Sequence, residues 1–458
     1  MTAPASVLTR PSRRERFADW AFGAPLDSAR PFWAVAVVVL MMFAAGIAVT
    51  ILRLPADQRN VLWAEDGNQF LADALRGDYL SNLFTPYAGY MHLIPRTAAQ
   101  LVATFVPIDD FGIAMNLLGA AVWSTVALAA FVFTRDRIQP PLRWLLWALV
   151  LLLPIGSMEV ATNVSNSHWF LMFGLFIALS ARTGTGVPRA IFACALVVAA
   201  VLSDPLSLLF APLVVARVVA LPRLRENLVS IAFAAAGILQ LIVDAGTSRD
   251  RGSPELVPGS LGATYLVRVV WGDLVGALDG SPVYNDLGRT AVVAMAGAFV
   301  VVLAVFIVIR WRRAGLAVIA LVGSAGFYGV VAVLTWEAFG KQLPGVEVYW
   351  GGRYLVVPTL LLVTAIVATL SAWLPTEGGS RGRTIARWAL LIVVASLLIT
   401  PGVRNFQTPA YKVGATEMPD AVDAVTNACR VDPTGKVQVA IAPPGFSFTV
   451  PCARVLGG

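Results

Sequence analysis

Glu65 and Asp66 are the side chains on which the sequence concentrates its chemistry. They are adjacent carboxylates within Trp63-Ala64-Glu65-Asp66-Gly67-Asn68-Gln69-Phe70. Such a pair can act as general base on a hydroxyl, because partial burial raises a carboxyl pKa toward the working range. It can also hold a divalent cation through its oxygens, or stand as solvated loop charge. The spacing equally fits Asp66 as the N-cap of a helical run from Gly67 to Leu75. A second candidate is Arg353, in Tyr349-Trp350-Gly351-Gly352-Arg353-Tyr354. A guanidinium there can clamp a phosphate or diphosphate bidentately, with glycines letting the backbone approach; it can also snorkel among interfacial aromatics. His92 and Arg96 are a weaker version of the same arrangement and read first as a face-stabilising pair. Glu159, Asn163, Asn166 and His168 lie in one short stretch whose groups suit sugar hydroxyls or helix ends alike. Trp271 and Asp273 set an indole beside an acid, which can stack on a sugar ring or simply mark a membrane interface.

The elements that must position these residues are apolar. Of 458 residues 58% are hydrophobic and 13% charged, where soluble domains carry about 25% charged residues. The chain therefore reads as an all-α polytopic membrane protein. Apolar stretches of membrane length fall at 32–54, 111–134, 143–158, 167–181, 189–203, 205–221, 227–245, 290–310, 314–335, 354–374 and 386–402, about eleven transmembrane helices. Short loops rich in arginine, such as Arg135, Arg137 and Arg143 or Arg310, Arg312 and Arg313, alternate with acidic ones and set the basic side as cytoplasmic. Residues 1–31, with Arg10, Arg13, Arg14 and Arg16, read as a cytoplasmic N-terminal tail without a signal-peptide cleavage site. Residues 32–402 form the bundle, with outer loops at 55–110, 246–289 and 336–353. The first is long, and its stretch from 92 to 106 has the spacing of an interfacial helix with His92, Arg96 and Gln100 on one stripe.

Residues 403–458 fall outside as an extracytoplasmic tail. Two alternating segments around Pro443-Pro444-Gly445 predict a β-hairpin. Cys429 and Cys452 flank it, and an oxidising space suits a disulfide between them, with two free thiols as the alternative. Only Lys341, Lys412 and Lys436 are lysines among 34 basic residues. The net charge of +7 is a topology signal that also favours anionic membrane lipids, and nucleic acid is not an expected partner. No P-loop, zinc-protease helix, serine-nucleophile elbow or Cys-x-x-Cys pair is present. Ionisable groups crowd at the outer face and are scarce within the spans, which favours extracytoplasmic chemistry over transport.

The acidic motif Glu65-Asp66 in a long first outer loop, the following interfacial helix, the bundle and the late Gly-Gly-Arg353-Tyr354 element resemble the bacterial GT-C superfamily of integral membrane glycosyltransferases. The resemblance covers nearly the whole chain through short motifs, and is nearest to enzymes that build cell-wall and surface polysaccharides in the bacterial plasma membrane. It implies a polyprenyl-phosphate-linked sugar donor and a glycan or lipid-linked acceptor, with Asp66 as general base, Glu65 as its assistant or alternate, and inversion at the anomeric carbon. Arg353 and Tyr354, with Arg96 and His92 secondary, would hold the donor phosphate. Glu159, Asn163, Asn166, His168, Trp271 and Asp273 would contact sugar or acceptor. No cofactor is implied with certainty, and a divalent metal is left open. A transporter or flippase of lipid-linked sugars is the alternative expectation.

Overall fold

The computed structural model describes residues 12–25, 32–155, 160–183, 186–246, 258–335, 352–374, 381–407, 412 and 414–457. The long apolar runs become helices because a backbone in an apolar setting must satisfy its own polar groups. They are α2 (Phe32–Leu52), α4 (Phe111–Phe133), α5 (Pro140–Leu151), α6 (His168–Ser180), α7 (Val187–Val201), α8 (Ala211–Ala220), α9 (Leu228–Ala245), α10 (Ala277–Ile309), α11 (Gly315–Leu334), α12 (Val356–Trp373) and α13 (Arg381–Arg404). Among the described residues, five helical segments are long and apolar enough to cross a membrane: Ile108–Phe133, Leu224–Ala245, Asp279–Ile309, Gly315–Leu334 and Gly352–Trp373. Shorter apolar helices occupy the other stretches. Burial orders the bundle. The most apolar window of Gly352–Trp373 is 94% buried and that of Asp279–Ile309 only 22%, so α12 is central and α10 peripheral.

One end of the bundle is basic and tied together by arginines. Within the segment expected as a tail, α1 (Arg13–Phe22) is a packed helix, started by a Ser12–Glu15 capping box and buried through Ala18, Ala21 and Phe22. Trp20 Nε1 donates to the Trp311 carbonyl at 2.9 Å. Arg137 donates to the Ala21 and Ser180 carbonyls at 3.0 and 2.6 Å, and the buried Arg217 donates to the carbonyls of Leu179, Ala181 and Glu226. These arginines satisfy carbonyls that helix C-termini leave unpaired.

The candidate chemistry lies at the opposite end, around a second hydrophobic core. It joins the first loop (Phe70, Leu71), α3 (Leu93–Phe105), the start of α4 (Phe111, Met115), Val164, and a C-terminal unit. That unit comprises α14 (Met418–Val431), β1 (Lys436–Ile441), β2 (Phe446–Pro451) and a last helix, Cys452–Gly457. The hairpin is antiparallel with Val439 opposite Phe448, and Val439, Ile441, Phe448 and Val450 face the core. Alternation of apolar and polar residues predicts this face directly. The sulfurs of Cys429 and Cys452 are bonded and both residues are buried. They clamp α14 to the end of β2 across a sequence separation of 23. Opening that crosslink with Cys429→Ser/Cys452→Ser is expected to cost the unit about 3 kcal/mol by loop-closure entropy. Hydrogen exchange of the hairpin amides checks this: unchanged protection would mean that packing alone holds the unit.

Two expectations for the loops change. The helix α3 is present, but its polar stripe points inward. Arg96 is buried while Leu101 and Phe105 are exposed, because Asp73 and the ring of Phe70 offer Arg96 partners inside. The region 246–289 is largely helical where described: Pro258–Tyr265, a π-helical turn Leu266–Trp271, Gly272–Val275, and the start of α10. Gly288 breaks α10 with φ +80°, so the run expected from 290 is continuous with an earlier helical piece across a kink.

Candidate functional site

The Glu65-Asp66 segment opens a π-helical turn, Asp66–Leu71, a geometry that often marks functional sites. Its shape is fixed from the C-terminal unit. The Ala442 amide donates to the Leu62 carbonyl at 3.0 Å, and the Ala64 amide donates to the Ala442 carbonyl at 2.6 Å. The Ile441 Cδ1 methyl packs where a Cβ on residue 67 would stand, so a larger residue there would have to displace the end of that side chain.

The two carboxylates part company here. Asp66 is 2% exposed, with Oδ1 accepting from the Ser165 amide at 2.7 Å and Oδ2 from the Val164 amide at 3.2 Å. The expectation of Asp66 as N-cap is therefore corrected. The buried 162–168 turn has amides that need acceptors, and the Asp66 oxygens are spent on them instead of on their own helix. The turn is tightly placed: Thr162 has φ +60°, and its carbonyl sits where a Cβ on Gly119 would be. Burial pushes the Asp66 carboxyl up from the usual carboxylate range, against the downward pull of the Ser165 amide, the Lys412 charge and the Val164 amide. Burial likewise pushes Lys412 down, opposed by Asp66.

Glu65 is different. It is half-buried, and among the described residues no hydrogen bond or ion pair occupies its carboxylate. Its charge acts on the Tyr87 phenol, which burial and Glu65 push up and Arg353 pulls down. Glu65 and Arg353, far apart in sequence, thus both lie within electrostatic reach of Tyr87. Arg353 lies in the short helical turn Gly352–Leu355 that precedes α12. Its guanidinium is 5.0 Å from the Tyr354 ring centre, with Nη2 3.3 Å from the Tyr354 hydroxyl. The Tyr354 ring meets Trp169 edge-on at 5.3 Å, which ties Arg353 to the start of α6. Beside Trp169, His168 Nδ1 donates to the Ser165 carbonyl at 2.9 Å and Nε2 lies 3.3 Å from Asp204 Oδ2. Since a carbonyl only accepts, the Nδ1 carries a proton.

The other expected residues divide. His92 is buried in an aromatic cage, stacked on Tyr90 at 4.3 Å and packed against Phe70 and Tyr87, so it adjoins the Glu65 neighbourhood. Arg96 pairs with Asp73 at 3.2 Å and holds the first loop to α3. Asn163 and Asn166 are buried in the turn that grips Asp66. Trp271 and Asp273 lie in the turn packed against α10 and α12, where Trp271 Nε1 donates to the Gly280 carbonyl at 3.2 Å. Asp273 is 4% exposed, its Oδ2 has no hydrogen-bond partner among the described residues, and burial pushes its carboxyl up to about 8. Glu159, Tyr349, Trp350 and Gly351 fall outside the described residues. Among the described residues no three His, Cys, Asp or Glu side chains converge as a metal-holding group.

Sequence reasoning missed Asp204, Asn116 and Lys412. Asp204 precedes Pro205 and caps the following turn by accepting from the Leu206 amide at 2.7 Å, so an Asp-Pro signal was legible. Lys412 had a subtler one, as a lysine in a chain that otherwise uses arginine.

An apolar groove of about 370 Å³ runs behind the site between α3, α4, α6 and α7. Ile94, Leu101, Leu118, Leu171 and Phe192 line it, as does Val164, whose amide holds Asp66. The arrangement can deprotonate a hydroxyl at Glu65, bind an anion at Arg353 and take an apolar chain in the groove that Val164 lines. Compared with known proteins, the chain matches no family model and no curated sequence.

Proposed function

We propose that the chain is an integral membrane glycosyltransferase that moves a sugar from a polyprenyl-phosphate donor to a glycan or lipid-linked acceptor at the outer face of a bacterial plasma membrane. The observation that carries the reading is that Glu65, whose carboxylate has no hydrogen bond or ion pair among the described residues, and Arg353 both act electrostatically on the Tyr87 phenol. A base and a phosphate-binding cation in one neighbourhood are what transfer from a sugar phosphate needs. Glu65 takes the proton of the acceptor hydroxyl as its oxygen bonds to the anomeric carbon. The bond from that carbon to the phosphate oxygen breaks with inversion, and Arg353 stabilises the charge that the departing lipid phosphate gains. Of the two carboxylates Glu65 suits the base, because the oxygens of Asp66 are committed to two backbone amides. The apolar groove suits the donor's chain, and an eleven-span topology with a cytoplasmic N-terminus would set this end outside.

Arg353→Ala is expected to lower kcat/KM for the donor roughly 100-fold, with Arg353→Lys recovering part of it. The reading is tested by transfer of labelled sugar from a panel of synthetic polyprenyl-phosphate sugars in membranes containing the protein. Movement of label to an acceptor supports it. Movement of the intact lipid-linked sugar between leaflets without transfer would replace it with the transporter alternative.

A further inference from the structure

Lys412 is 2% exposed, and a buried ammonium persists only where partners replace its lost water. Its Nζ donates to Asn116 Oδ1 at 2.6 Å, and its charge acts on Asp66. Asn116 is itself a junction. Its Oδ1 also accepts from the Thr162 hydroxyl at 2.8 Å, while its Nδ2 donates to the carbonyls of Arg59 and Val61 at 2.8 and 3.3 Å. One ammonium is therefore joined through Asn116 to the entry to the first loop, the 162–168 turn and α4, and acts electrostatically on the buried Asp66 carboxylate.

The residue arrives with the C-terminal unit. The Met418 amide donates to the Asn60 carbonyl at 2.9 Å, and Ala442 pairs with Leu62 and Ala64. Between Lys412 and Ala442 the chain clasps residues 60–67 along the whole approach to Glu65. The clasp is continuous with the second hydrophobic core, in which Met418, Val422, Ile441 and Val450 share one cluster with Phe70, Leu71 and Met115. The acidic motif is thus shaped by a segment some 350 residues later in the chain.

Resting on the glycosyltransferase reading, we propose that Lys412 is a positioning residue. Carried in by the docked C-terminal unit, it neutralises Asp66 and pins the Asn116 junction, so that the loop-one segment presents Glu65 to the acceptor. No atom of Lys412 meets substrate. Its effect passes through Asp66 and Asn116, and the C-terminal unit is a component of the site, not an appendage to it.

The test is a double-mutant cycle of Lys412→Met and Asp66→Asn, read by thermal unfolding, by hydrogen exchange at residues 60–67 and by transfer kinetics. Lys412→Met alone strands a buried carboxylate and is expected to lower kcat about 100-fold through misplacement of the base, with the KM for the donor little changed. It also loosens exchange at residues 60–67. The pair Lys412→Met/Asp66→Asn removes both charges, and is expected to recover part of the unfolding temperature and of kcat relative to Lys412→Met. Strict additivity of the two substitutions in unfolding would overturn the pairing. Coupling in unfolding together with an unchanged kcat in Lys412→Met would overturn the positioning role. The unfolding and exchange arms need no substrate, so a wild type that transfers no sugar would defeat the glycosyltransferase reading while the pairing is still decided.

Discussion

Glu65→Gln is expected to lower sugar transfer by roughly 10²- to 10⁴-fold while the protein melts as wild type does, the scale of a lost general base. The substitution keeps the size and hydrogen-bonding shape of the side chain and removes only its ability to take a proton. Folding should not notice, since among the described residues nothing bonds to the Glu65 carboxylate. The change therefore falls on kcat, with donor affinity retained because Arg353 is untouched. Steady-state transfer with a fixed donor and varied acceptor, alongside a melting curve, checks both halves. A variant that transfers at the wild-type rate would remove Glu65 from the chemistry.

Asp66→Asn has the complementary signature. Its two oxygens accept the Ser165 and Val164 amides, and Lys412 supplies the opposing charge. An asparagine offers one oxygen, turns an N–H toward the second amide, and leaves the buried ammonium without its counter-charge. Leaving a buried amide without its acceptor costs roughly 1–3 kcal/mol, and the uncompensated charge adds to it. The expected result is a clear loss of thermal stability and weaker protection of the 162–168 turn, with the surviving folded fraction still transferring sugar. An unchanged melting curve with abolished transfer would reverse the roles assigned to the two carboxylates.

How far the sequence speaks for itself follows from which interactions are local. Helix positions were legible because an apolar run in a bilayer has few alternatives to a helix. Hairpin strands were legible from alternation around Pro443-Pro444-Gly445. The motif Glu65-Asp66 drew attention by composition, but the division of labour between its members did not. That division depends on amides at 164 and 165 and on a lysine at 412, none of which a local pattern connects to position 66. The inward turn of Arg96 was hidden for the same reason, since an interfacial stripe and a buried ion-pair stripe have the same spacing. The helical character of residues 258–275 was obscured by Pro258 and the glycines Gly259, Gly262 and Gly272, and by Arg268 and Asp273, which interrupt its apolar run.

The central claim is that Glu65 does the chemistry and Asp66 holds the frame. The most direct test is single-turnover transfer from one active polyprenyl-phosphate sugar by wild type, Glu65→Gln and Asp66→Asn, each normalised to the folded amount. The account predicts background transfer by Glu65→Gln and measurable transfer by folded Asp66→Asn. Transfer by Glu65→Gln at the wild-type rate, with folded Asp66→Asn silent, would contradict it.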